Sequence, residues 1–169
     1  ANLIKQAEEG HNAGNYRKEN FAYKKLYNLY KCELGRKNKY TINILELLAH
    51  SYASLGFYNK GLKLQKEVYV QRKKILGMNH RDTLQALGNL AISYSDLGNY
   101  NKALEMNNAV YNARKEILGE NHPDTLSALN NLASSYSDLG DYSRALKMRK
   151  VAYNARKEIL GENLPTVLI

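Results

Sequence analysis

Cysteine is almost missing from this chain: Cys32 stands alone among 169 residues. A single thiol excludes an internal disulfide, and a reducing, cytoplasmic setting is the expectation. One Cys and four dispersed His offer no spacing for a metal site. No run approaches the roughly 18 apolar residues of a membrane-spanning helix. The opening Ala1-Asn2-Leu3-Ile4-Lys5-Gln6 lacks the apolar stretch of a secretory leader. There is no glycine-rich phosphate loop, no nucleophile elbow and no paired acids at an unrepeated place. Enzymatic turnover, a metal, a cofactor and a small-molecule substrate are therefore not expected.

What is present is a repeat. Leu34-Gly35, Leu76-Gly77, Leu118-Gly119 and Leu160-Gly161 fall 42 residues apart. Gly14, Gly56, Gly98 and Gly140 form a second series, each followed two residues later by a tyrosine: Tyr16, Tyr58, Tyr100 and Tyr142. Segments 78–119 and 120–161 agree at about 29 of 42 positions, far more than shared helical composition gives.

Each repeat reads as two helices. In the clearest copy the first runs from about Asp124 to Leu139. Its apolar positions Leu126, Leu129, Leu132, Ala133, Tyr136 and Leu139 line one helical face. Pro123-Asp124 suits a helix start and Gly140 a helix end. The second runs from about Tyr142 to Leu160, with Tyr142, Ala145, Leu146, Ala152, Tyr153 and Ile159 as its expected buried stripe. Ala91, Ala133, Ala103 and Ala145 recur where helices must approach closely. One such pair cannot bury its apolar face alone, whereas stacked pairs share a core. The expected fold is all-α, an α-solenoid of antiparallel helix pairs.

Gly119-Glu120-Asn121-His122-Pro123-Asp124-Thr125-Leu126, Leu129-Asn130-Asn131-Leu132-Ala133, Tyr136, Leu139-Gly140, Tyr142 and Ala145-Leu146 carry a family likeness. They resemble the 42-residue tetratricopeptide repeat of kinesin light chains, a repeat type used for many unrelated partners. The resemblance implies a tetratricopeptide superhelix with three repeats at 40–77, 82–119 and 124–161. Residues 1–39 resemble a degenerate earlier repeat. Residues 162–169 resemble the start of a further repeat or a cap, with the stretch from Leu164 in register with that from His122 to Leu126. The expectation favours a fragment of a longer array, and self-association through terminal repeats is open.

The formal net charge of +9 raises the question of nucleic acid or a membrane surface. Position answers it. The first helices, about 40–55, 82–97 and 124–139, hold no Lys or Arg after Tyr40, but carry Glu46, Asp82, Asp96, Asp124 and Asp138. The cations sit on the second helices, including Lys63, Arg72, Arg114, Lys147 and Arg156, and on the N-terminal block. By the resemblance, first helices line a concave groove and second helices form the outer side. The implied groove is polar and mildly acidic, and the outer side basic.

The resemblance places Asn43, Glu46, Leu47 and His50, then Gln85, Gly88, Asn89 and Ile92, then Ser127, Asn130, Asn131 and Ser134 in that groove. Asp96 and Asp138 lie near the ends of the first helices. Asn89 and Asn131 match the place where peptide-binding relatives set an asparagine against a ligand backbone, a task an amide suits because it both donates and accepts. The basic residues with which relatives clamp acidic peptides are missing here. The expected partner is a protein or peptide, neutral or basic, with nucleic acid not favoured. The alternatives are a structural array segment of a larger receptor or scaffold, and binding of nucleic acid or a membrane surface through the basic outer side. His80 and His122 read as helix-start residues. The series Tyr52, Tyr94, Tyr136 and Tyr69, Tyr111, Tyr153 reads as packing. Cys32 reads as a passive thiol.

Overall fold

The computed structural model of the chain describes residues 2–160. Among them are eight helices and no strand: α1 (Asn2–Asn12), α2 (Tyr16–Glu33), α3 (Lys39–Ser54), α4 (Tyr58–Leu76), α5 (Arg81–Ser95), α6 (Tyr100–Leu118), α7 (Pro123–Asp138) and α8 (Tyr142–Leu160). The expected stub 162–169 lies outside the described residues. The helices form two compact units, Ala1–Leu97 with α1 to α5 and Gly98–Ile169 with α6 to α8. None of the helices is long and apolar enough to cross a membrane.

Within each unit every helix packs on the next in sequence. Links of three to five residues hold neighbours antiparallel. In the first unit Ile42 and Leu45 of α3, Val68 of α4 and Ala86 of α5 form one buried cluster, with Tyr27 of α2, Leu64 and Tyr69 packed against it. Three successive helices and a tyrosine of a fourth thus share a core. Full burial of a Leu or Val contributes about 1.5–3 kcal/mol, and no single pair here could supply that shelter.

The helix starts explain the two repeated histidines. Nδ1 of His80 accepts the amide of Asp82, and Nδ1 of His122 accepts that of Asp124, both at 3.1 Å. Asn38 does the same one repeat earlier, its Oδ1 taking the amide of Tyr40 at 2.9 Å. A ring nitrogen that accepts is the unprotonated one, so each imidazole caps with its proton on Nε2. Replacing His122 with Ala is expected to cost about 1 kcal/mol, and replacing it with Asn to cost little, as read by thermal unfolding. Equal losses in the two variants would show that the cap is not the reason for the histidine.

Small residues set the approach of the helices. Ala49, Ala91 and Ala133 on first helices, and Ala103 and Ala145 on second helices, are fully buried. Gly61 takes the last role in α4, where a Cβ would lie 3.1 Å from the Ala49 carbonyl oxygen. The α1–α2 pair reverses the sizes. Where other repeats carry Tyr52, Tyr94 or Tyr136 on the first helix and Gly61, Ala103 or Ala145 on the second, this pair carries Gly10 and a buried Glu19. A Cβ on Gly10 would meet the Glu19 amide nitrogen at 2.7 Å, so only glycine fits. Residues 2–33 therefore keep the helix pair while departing from the repeat's residues. Glu19 Oε1 lies 3.2 Å from His11 Nδ1.

The expected stripe of α8 needs correction. Ala145 and Ala152 are buried, but Tyr142, Leu146, Tyr153 and Ile159 are exposed, as is Leu139. Tyr142 and Ile159 sit where the repeat leaves side chains outside, since Tyr58, Tyr100, Ile75 and Ile117 are exposed as well. A second helix meets its first-helix neighbour through small residues, and its larger apolar side chains flank that contact. Of the other tyrosines Tyr94 is buried, while Tyr52, Tyr136, Tyr69 and Tyr111 are half-buried.

Candidate functional site

In the first unit the candidate residues of α3 and α5 face one another. Glu46 of α3 is not a free acid. Nη1 and Nη2 of Arg72 donate to its two carboxylate oxygens at 3.1 and 2.7 Å. The same guanidinium donates to Asn43 Oδ1 at 3.0 Å and to the Asp82 carbonyl at 3.3 Å. Asn89 of α5 adds its amide, Nδ2 to Glu46 Oε1 at 2.7 Å. A carboxylate taken from water is stabilised by this many charge-assisted donors. Asn43, Glu46 and Asn89 are thus drawn into one internal clasp across α3, α4 and α5. What remains outward is the Asn43 amide nitrogen and the Asn89 carbonyl oxygen.

Arg72 was counted by position with the outer basic side, and the structure corrects that: it is 7% exposed and turned inward. Its counterparts are half-buried and donate to the start of α7. Arg114 donates to the Asp124 carbonyl at 3.0 Å, and Arg156 to Ser127 Oγ at 3.4 Å. The signal was an arginine recurring at 72, 114 and 156 in helices that otherwise favour lysine. A guanidinium has five donors in a planar fork, which a lysine cannot replace in a buried junction. The helix starts shift the charge slightly too, because Lys39 and Arg81 fall within the first turns of α3 and α5.

Farther along the same face stand His50 and Asp96. Gln65 of α4, itself buried, lies 3.3 Å from His50 Nε2 through its own Nε2. Partial burial raises the Asp96 carboxyl above the usual carboxylate range, while the nearby His50 pulls it down. Leu47 and Ile92 expose apolar surface at 40% and 48%, and Gln85 is exposed. The first unit therefore presents a mixed face, with one remaining acid, one imidazole, amides and two aliphatic side chains.

In the second unit all five candidates lie on α7. Ser127 and Ser134 spend their hydroxyl protons on carbonyls one turn back, those of Pro123 at 2.8 Å and Asn130 at 3.2 Å. Asn131 is exposed. Asn107 of the neighbouring α6 is buried and donates to the Asn131 carbonyl at 3.4 Å and to Ser135 Oγ at 2.8 Å. This ties down the α7 backbone while leaving the Asn131 amide outward. Asn130 is half-buried beside it, and Asp138 is exposed at the end of the helix.

A small cavity of about 80 Å³ opens in the first unit at the C-terminal end of α4, lined by Lys37, Lys39, Ile42, Arg72, Ile75 and Asp82 among others. It is too small for a metabolite-sized ligand. Cys32 is exposed on α2.

No curated protein sequence matches the chain. Its fold does match solved structures. One is a Podosopora anserina protein described as kinesin light chain with nearly identical TPR-like repeats, at 19% identity over 94% of this chain and 77% of that one, with a TM-score of 0.80. Another is BtubC (BKLC) from P. vanneervenii, at 16% identity over 99% of this chain and 85% of that one, with a TM-score of 0.63. At these identities the likeness is one of fold. The family model described as tetratricopeptide repeat matches residues 40–116 and 107–158, well over half of the chain. With the phased helix pairs, the buried alanines and the histidine caps already in place, the chain belongs to the tetratricopeptide repeat family.

Proposed function

We propose that this chain, a tetratricopeptide scaffold for protein–protein interaction, holds a peptide segment or partner helix against the exposed faces of its first helices. The observation that carries this is Asn131. Its amide stands outward on α7, while its own carbonyl is fixed from behind by the buried Asn107. A rigid helix presenting a free amide can donate to and accept from an extended backbone. Asn130 and Asp138 flank it on α7, and Gln85, His50 and Asp96 offer further polar contacts in the first unit. Leu47 and Ile92 add apolar surface there.

The preferred partner is neutral or basic. Asp96 remains at the first-unit face, and an acidic ligand would meet repulsion from its carboxylate. Pairing of Glu46 with Arg72 softens this preference in the first unit, so side-chain shape at Leu47 and Ile92 contributes alongside charge. The module works without turnover, in a reducing, cytoplasmic compartment, as three repeats from residue 40 to 161 preceded by a divergent one.

Replacing Asn131 with Ala is expected to weaken a selected peptide ligand by about 1–3 kcal/mol, because ligand groups would be buried unpaired. Replacing Lys147 with Ala, on α8, is expected to change little. Titration calorimetry with the best peptide from an unbiased library reads both. A larger loss at Lys147 would mean that the binding surface lies on the second helices.

A further inference from the structure

We infer that the exposed face of α2 and α4 is a second docking surface, which takes an acidic segment of a partner protein. The charge of the chain is unevenly spread. Residues 1–97 hold 16 Lys and Arg against 8 Asp and Glu, a net +8, whereas residues 98–169 hold nine against eight. Three of those eight acids are already engaged or sequestered: Glu46 with Arg72, Glu9 with Lys18, and Glu19 in the α1–α2 contact. The exposed lysines of the first unit are left largely uncompensated.

They are arranged on one surface. On α4, Lys63, Lys66, Val70 and Lys74 recur at helical spacing and all are exposed. Forty-two residues earlier, α2 exposes Phe21 and Lys24 at the places of Lys63 and Lys66, with Lys25 next to them. Both helices pack on α3, and Tyr27 of α2 meets the core that Leu64, Val68 and Tyr69 of α4 help to build. The scaffold does not demand lysine here. At the places equivalent to Lys63, Lys66 and Val70, α6 carries Glu105, Asn108 and Asn112, all exposed. Lysine returns on α8 at Lys147 and Lys150, but in a unit whose charges balance.

The chemistry favours an acidic polypeptide over nucleic acid or a membrane. Lysine rather than arginine supplies the face, so the bidentate forks that grip phosphate are missing from it. The exposed aromatic, Phe21, has the Lys25 ammonium 4.4 Å from its ring centre, which occupies a face that a base would need for stacking. Phe21 and Val70 are the apolar side chains set among these lysines, too little apolar surface to enter a bilayer. Carboxylates spaced along a helix or strand, with an aliphatic side chain between them, would pair with these lysines and cover Val70. Complementary charge of this kind steers encounter and fixes register.

The test uses the whole chain with two labelled peptides, one built of Glu and Leu and its Lys and Leu counterpart, in fluorescence anisotropy. Lys24, Lys63 and Lys74 make no side-chain hydrogen bond, ion pair or ring contact among the described residues. Their combined replacement, Lys24→Glu, Lys63→Glu and Lys74→Glu, is expected to weaken the acidic peptide about tenfold or more. The same lysines changed to Gln should give a smaller loss in the same direction, with unchanged helicity in both. Lys147→Glu, Arg149→Glu and Lys150→Glu together should cost no more than about twofold, and Asn131→Ala nothing, which separates this surface from the first-helix faces. Binding should weaken as salt rises through the range where the Debye length shrinks from about 10 to 3 Å. Equal loss from the α2–α4 and α8 reversals, equal binding of the two peptides, or tighter binding of an oligonucleotide or phosphatidylserine vesicles would overturn the inference.

Discussion

Replacing Arg72 with Met is expected to destabilise the first unit by about 3–5 kcal/mol, nearer the lower figure, because removing one partner of a buried pair strands the other. Its guanidinium makes four hydrogen bonds, two of them to Glu46, whose side chain is 15% exposed. Without them Glu46 keeps the amide of Asn89 and a little water. The double replacement Arg72→Met with Glu46→Met should recover most of the loss, since two matched apolar side chains need no counter-ion. Arg72→Lys should recover only part, because one ammonium cannot serve Glu46, Asn43 and the Asp82 carbonyl together. Urea unfolding with residue-level amide exchange reads the effect in α3 to α5. A double variant as unstable as Arg72→Met would mean that the clasp is not what the arginine supplies.

Replacing Ala133 with Leu should destabilise the second unit by about 1–3 kcal/mol through overpacking. Ala133 has no exposed surface, and α7 is packed against both α6 and α8. Three added carbons have no space unless a neighbouring helix moves away. Ser134, the next residue, is exposed, and Ser134→Leu should shift stability by less than about 0.5 kcal/mol. Thermal unfolding of the two variants compares them directly. Equal shifts would show that helix approach at this place tolerates bulk.

Much of this was legible in the residues. The glycine and tyrosine series marked helix boundaries to within a residue or two, because glycine at a helix end and a capping residue at its start are local requirements. His80 and His122 were placed by the same logic and proved to be caps. The small residues at 91, 103, 133 and 145 told of close approach because bulk there has nowhere to go. Helical periodicity said less about α8. It separates apolar from polar, but cannot tell an apolar side chain in the contact from one beside it, and Tyr142 and Ile159 lie beside it. The electrostatics were harder still. Counting Lys and Arg as one class put Arg72 on the outer side and left Glu46 as a free acid. Pairing between residues 26 positions apart becomes visible only once three helices are stacked. Asn131 and Asn89, alike by register, also part company there: the amide of Asn89 is drawn to Glu46, and that of Asn131 is not.

The central claim is that the first helices hold the partner. Amide chemical shifts of the labelled chain, followed during titration with the best peptide from an unbiased library, test it most directly. The largest changes should fall on α7 around Asn130, Asn131 and Asp138, and they should be lost in Asn131→Ala at the same peptide concentration. Changes centred on the lysines of α4 and α8, with α7 silent, would contradict it.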